Sequence, residues 1–176
     1  KQKEWVRKAA FYTNFSKESL NTLFEAETKD AFDWLIKQSF VKTEDGKHYK
    51  IKNIIRNQVL LNTYTRSQKV LAKSVEKLYQ YYESQLKSPL KDWIDLKIQL
   101  KISKSDLALL EYTSYYMALA NSEISNDHLD MILRVSDYNI EGAVSLFTSA
   151  FKALQDLDIK PTERDLIALK IVNLFA

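Results

Sequence analysis

The chain contains no cysteine. That excludes disulfides, thiolate metal sites and thiol nucleophiles, and it fits a reducing cytosol. Glycine and proline number two each, too few turn residues for a β-rich protein of this length. The only glycines, Gly46 and Gly142, cannot form a phosphate-cradling P-loop, which needs two glycines about five residues apart ahead of Lys and Ser or Thr. Histidine is limited to His48 and His128. Neither is paired in sequence with a nucleophile or a ligand cluster, so both read as surface histidines and no metal site is expected. No apolar run approaches the ~20 residues that span a bilayer, and no signal peptide is visible. The expectation is a mainly α, cytoplasmic, non-catalytic chain with no membrane contact and no cofactor of its own. It starts at Lys1 without Met and stops at Ala176 inside a helical pattern. It is therefore expected to be a piece of a longer protein.

Apolar residues make up 45% of the chain, enough for a sizeable core, and the formal net charge is +3. The charge is unevenly placed. Residues 1–88 hold 17 Lys and Arg against 10 Asp and Glu, whereas residues 89–176 hold 9 against 13. This asymmetry predicts two units of different surface character, divided near residues 87–92, where Pro89 disfavours helix at the residue before it. A basic first half can attract nucleic acid or an acidic partner.

Along the first half, Trp5, Ala9 and Tyr12 share one helical face, predicting a helix over 3–12. Ser16 is the expected N-cap of a second helix buried through Leu20, Leu23 and Phe24. A third helix is predicted over 29–38, with Phe32, Leu35 and Ile36 inward. The period then changes. Phe40-Val41 and Tyr49-Lys50-Ile51 read as strands around Asp45-Gly46, a favoured pair for a tight hairpin turn. Helix resumes over 53–64 with Asn53 as N-cap, and a long helix follows over 66–86. Helix, hairpin, helix in an otherwise helical chain predicts a winged helix-turn-helix over 1–88.

The second half reads as helices near 91–101, 104–121, 126–136, 139–154 and 162–175. Alternate starts lie about 35 residues apart, as in stacked helix pairs, although the residues themselves do not repeat. Residues 89–176 are thus expected to be all-helical, either repeat-like or a plain bundle. The acid pairs Asp92/Asp95 and Glu163/Asp165 sit at helix starts, where they favour the macrodipole. Tyr79, Tyr81, Tyr82, Tyr112, Tyr115 and Tyr116 can stack nucleobases, but in long amphipathic helices they more often bridge core and solvent.

Three functions fit such a chain: a regulatory module in a larger machine, a DNA-binding transcription regulator, or a purely structural assembly module. Asp30 and Asp33 on the third helix would face phosphates at close range, so specific DNA is not the expected partner.

Residues 31–83 resemble the winged-helix region of STAND-type signalling ATPases. The resemblance rests on Asp33-Trp34-Leu35 through Ser39-Phe40-Val41, on Asp45-Gly46 as wing tip, on Tyr49 through Arg56, and on Leu71 through Tyr81-Tyr82-Glu83. It implies a regulatory, protein-interacting region whose partners are other proteins or other domains of the same chain. ATP or ADP would be bound by a longer parent protein. In that family a His-Asp pair at the strand-to-helix junction contacts the nucleotide β-phosphate. Here Lys52 and Asn53 occupy those positions, and lysine supplies a flexible point charge in place of an imidazole. Arg56 is the best-matched charged residue. The resemblance implies that it pairs with an acid inside the domain or with a neighbouring ATPase domain.

Overall fold

The computed structural model describes residues 1–43, 45–86, 103–137 and 139–174. The predicted boundary at 87–92, the predicted helix over 91–101 and the pair Asp92/Asp95 lie outside the described residues. Among the described residues the chain is mainly helical with one two-stranded antiparallel sheet. It divides into two compact units, Lys1–Leu78 and Tyr79–Ala176.

The first unit opens with α1 (Gln2–Ala10), α2 (Lys17–Phe24), a 3-10 turn (Glu25–Glu27) and α3 (Thr28–Leu35). Trp5, Ala9 and Tyr12 are buried, as their spacing requires. Ser16 caps α2 in a reciprocal box with Ser19, each side chain accepting the other's backbone N–H. The buried Tyr12 hydroxyl donates to the Ser19 carbonyl at 2.9 Å, fixing α1 against the start of α2.

Strands β1 (Val41–Thr43) and β2 (Tyr49–Ile51) follow. They pair as Val41 with Ile51, Lys42 with Lys50 and Thr43 with Tyr49. The first strand begins one residue later than its sequence suggests, although the Phe40 carbonyl still accepts the Lys52 N–H at 2.8 Å. At the tip Gly46 has φ +70, which glycine adopts without strain. Phe15, in the connection between α1 and α2, exchanges both backbone bonds with Tyr49, at 2.7 and 2.8 Å. Its ring stacks on Tyr49, and Phe32 meets Tyr49 edge-on. The connection, α3 and the hairpin therefore share one aromatic cluster.

Helices α4 (Asn53–Arg66) and α5 (Gln68–Gln85) complete this region. Residues of α5 up to Leu78 belong to the first unit, and Leu71, Val75 and Leu78 are its buried stripe. Val70, expected on that face, is 40% exposed.

In the second unit lie α6 (Lys104–Asn121), α7 (Asn126–Ser136), α8 (Ile140–Asp156) and α9 (Glu163–Leu174). Each starts behind a side-chain cap reaching three residues ahead. Ser103 caps Asp106, Ser125 caps His128, Asn139 caps Gly142 and Thr162 caps Asp165. Ser103 and Ser125 are the last non-helical residues, so α6 and α7 span the 104–121 and 126–136 that periodicity predicts. Helix α8 packs along α6 and also against α7 and α9. A Cβ at Gly142 would sit 3.1 Å from Asn139 Cγ and 3.2 Å from Leu107 Cδ1, a tight fit against the cap and against α6.

The tyrosines are largely core. Tyr82, Tyr115 and Tyr116 are buried. The Tyr82 ring lies against Tyr112 and Tyr116, with centroids 4.8 and 5.3 Å away. The buried Tyr115 hydroxyl donates to Asp156 Oδ2 at 2.6 Å, tying α6 to the end of α8. Deleting that hydroxyl removes a donor from a buried carboxylate. Tyr115→Phe is expected to lower stability by about 2 kcal/mol, read as a lower urea midpoint with an unchanged slope.

Candidate functional site

The strand-to-helix junction places the residues singled out by sequence. The Lys52 N–H stays in the ladder, bonded to the Phe40 carbonyl, while the Lys52 carbonyl accepts from the Ile55 and Arg56 amides, both at 3.0 Å. Lys52 is therefore the N-cap residue, and Asn53 is the first helical residue rather than the cap. The expected Asn53 cap fails because strand pairing extends through Lys52 and the helix begins directly after it. The Lys52 side chain does not cap this first turn. Lys52, Asn53 and Ile54 are all exposed, Ile54 to 79%.

Arg56 turns the other way. It is 3% exposed, and its Nε donates to the Tyr12 carbonyl at 2.8 Å. The junction therefore exposes Lys52 and Asn53 and separates them from Arg56, which pins α4 to the end of α1. A buried guanidinium on a main-chain carbonyl is a means of closing the fold rather than a surface for a partner.

The hairpin tip is held by one carboxylate. Asp45 accepts from the Lys47 and His48 amides at 2.9 and 2.7 Å and lies 2.6 Å from His48 Nδ1. The His48 side chain and these amides hold the Asp45 carboxyl well below its ordinary range. His48 is exposed, as expected.

His128 is not a surface histidine. It is fully buried near the start of α7, with Nε2 2.7 Å from Ser114 Oγ. A serine–histidine pair at this distance invites a nucleophile-and-base reading, but the bond directions oppose it. The Ser114 hydroxyl donates to the Leu146 carbonyl at 2.8 Å. Its single proton is committed there, so His128 Nε2 must donate to Ser114 and Nδ1 is left bare. Nδ1 is buried without a hydrogen-bond partner. Burial pushes the imidazole pKa down to about 4, with Asp165 partly opposing the shift. Ser114 and His128 thus join α6, α7 and the Leu146 carbonyl of α8. The sequence signal that was missed is Ser125, whose cap fixes His128 as the third residue of its helix, on the α6 side.

Beside α4 lies a groove of about 400 Å³, lined by Arg7, Ile55, Val59, Asn62, Arg66 and Val70 among others. Ile55, Val59, Asn62 and Arg66 fall at helical spacing on one side of α4. Arg7 reaches Glu4 at 2.5 Å. The sequence gives no sign that Arg7 and Arg66 share a groove, because they meet only through helix packing. Among the described residues no group of His, Asp and Glu is placed to hold a metal ion, and no helix is long and apolar enough to cross a membrane.

No protein-family model, curated protein or solved structure matches the chain.

Two outcomes are expected of these side chains. Arg56→Met should cost about 2–3 kcal/mol, read by urea denaturation, because the Tyr12 carbonyl loses a buried charged donor. His128 has a folded pKa below its ordinary 6.5, so its contribution is complete above that pH. It is lost as pH falls from 6.5 toward 4, by about 3 kcal/mol in all. Circular dichroism melts at pH 7 and 4.5 should show a larger drop for wild type than for His128→Gln. Equal drops would mean that His128 is not the titrating group.

Proposed function

We propose that the chain is a non-catalytic regulatory and protein-interaction region of a STAND-like signalling ATPase. In this reading the first unit is a winged helix-turn-helix and the second a repeat-like helical unit. The observation that carries it is the Phe15–Tyr49 bridge. It adds the α1–α2 connection to the hairpin as a minimal third strand. The resulting order of helix, bridge, two helices, hairpin and helix supports the winged-helix reading.

The exposed Lys52, at a helix start that its side chain does not cap, supports a phosphate contact, since a cation and helix amides favour the same anion. That contact belongs to a parent protein that supplies the nucleotide. The α6–α7 and α8–α9 pairs, with α8 packed along α6, support the repeat-like reading of the second unit. The role of the second unit in this reading is to connect the switch to a sensor region.

DNA binding is the less favoured reading. Lys29, Asp30, Asp33 and Lys37 are all exposed on and just after α3, so two carboxylates would enter the groove with the lysines.

Two measurements test the proposal. In a parent protein loaded with ADP, Lys52→Ala should speed nucleotide release by about tenfold, the worth of one partly hydrated charged hydrogen bond. An unchanged release rate removes the nucleotide-sensing role. Duplex binding, followed by fluorescence anisotropy, should be weak and lost with added salt. A site bound ~10³-fold more tightly than random duplex at physiological salt would instead make the chain a DNA reader.

A further inference from the structure

Among the described residues the largest concentration of exposed apolar side chains lies on α9. Its inner face is formed by Asp165 and Val172, both buried, with Ala168 and Leu169 half-buried beside them. The opposite side carries Ile167, Ile171 and Leu174, 50%, 47% and 82% exposed, flanked by Leu166. A helix that is apolar on both faces is normally covered on both, and clustered exposure of this kind marks an interaction surface. Beside it, Leu133 of α7 is also exposed. Leu133, Ile140 and Ile171 help line a groove of about 270 Å³.

The helix is firmly seated, so its outer face is a fixed surface. Thr162 and Asp165 form a reciprocal cap at its start. The Arg164 guanidinium donates to Asn126 Oδ1 and to the Ile124 carbonyl, each at 2.6 Å.

Charge selects the occupant. Glu163, Ile167, Lys170 and Leu174 follow one another at i, i+4, i+7 and i+11, placing them on one stripe. Both charged members are exposed, and they stand about 10 Å apart along the axis. The stripe thus has an acid near one end, a base beyond its middle and apolar residues between and after. Its two charged members are complementary when the stripe is reversed, with Ile167 near the centre and Leu174 beyond the start of the partner helix. Two copies laid antiparallel about a two-fold axis near Ile167 bring Glu163 of each against Lys170 of the other, twice. Laid parallel, they would set Glu163 on Glu163 and Lys170 on Lys170. A two-fold contact of like surfaces is the commonest route to a dimer.

We propose that the outer face of α9, with the groove beside Leu133, binds a second copy of this chain through an antiparallel α9–α9 contact. The apolar stripe and groove supply the affinity, and the two Glu163–Lys170 pairs fix the direction.

Light scattering on the eluting 176-residue chain, over about 1–100 μM, should show the mass rising toward twice the 20.6 kDa of one chain. Ile167→Asp should leave a monomer with unchanged helical circular dichroism, since that side chain is half exposed. Lys170→Glu should weaken the dimer about tenfold at low salt. The double variant Glu163→Lys/Lys170→Glu should restore it, because the reversed pairs again match. In a parallel contact neither charge change would matter. The proposal is overturned by a monomer throughout, by a dimer that survives Ile167→Asp, or by failure of the double variant to restore association. A monomer that instead takes up an added amphipathic helical peptide on this face would assign the surface to a different partner and overturn it equally.

Discussion

The first unit depends on the pair of backbone bonds between Phe15 and Tyr49. A two-stranded hairpin alone is marginal in water. Here the outer edge of β2 is partly closed by a residue from the α1–α2 connection, which both satisfies backbone groups and positions two aromatic rings. Phe15 is 1% exposed, so the bridge also carries burial of a large side chain, worth about 2 kcal/mol or more. Once Tyr49 is fixed, the alternation of β2 is fixed with it. Ile51 faces the core, and Lys52 emerges one residue later on the opposite side. The position of the junction is a consequence of that register, because slipping the strand by one residue would bury Lys52 and expose Ile51.

The second unit solves a different problem, that of placing polar groups inside a helical core. Ser114, His128, Asp156 and Asp165 are all buried. Each is tied to an element other than its own or to a helix start. Ser114 reaches α8, Tyr115 reaches Asp156, and Asp165 closes the first turn of α9. A buried polar atom costs little when bonded and about 1–3 kcal/mol when not. These bonds therefore penalise any sliding of α6 against α8 more sharply than apolar packing alone would. The exception is His128 Nδ1, whose missing partner is tolerable only because the ring stays neutral.

Much of this architecture is legible in sequence where one local rule dominates. Asp45-Gly46 marks the hairpin because a positive φ is needed at one residue and glycine supplies it. The long helices of the second half follow from apolar period and cap residues. Long-range pairing is less legible. Phe15 reads as a break between helices, and nothing local says that it will meet Tyr49 thirty-four residues later. For Arg56 the resemblance implies an acidic partner, but its Nε donates to the Tyr12 carbonyl just after α1, a main-chain acceptor that no local residue pattern marks. His128 reads as exposed because the residues beside it, Asp127 and Leu129, do not reveal which way α7 faces. Lys52 and Asn53 were found together, but their order as cap and first helical residue depends on where the strand ladder stops, which is a property of β1.

Helix α4 brings these strands of argument together, since its three sides face three environments. Arg56, Leu60 and Thr63 face the core. Ile55, Val59, Asn62 and Arg66 line a groove. Lys52, Asn53 and Ile54 stand at its exposed start. The core side holds the helix to α1, so a force applied at the start of α4 is transmitted to α1 as well as to the hairpin. A contact at Lys52 would thus act on an element clamped at its start by the strand register and, in its first turn, by Arg56. Such an element can report binding at its tip only by moving with its neighbours.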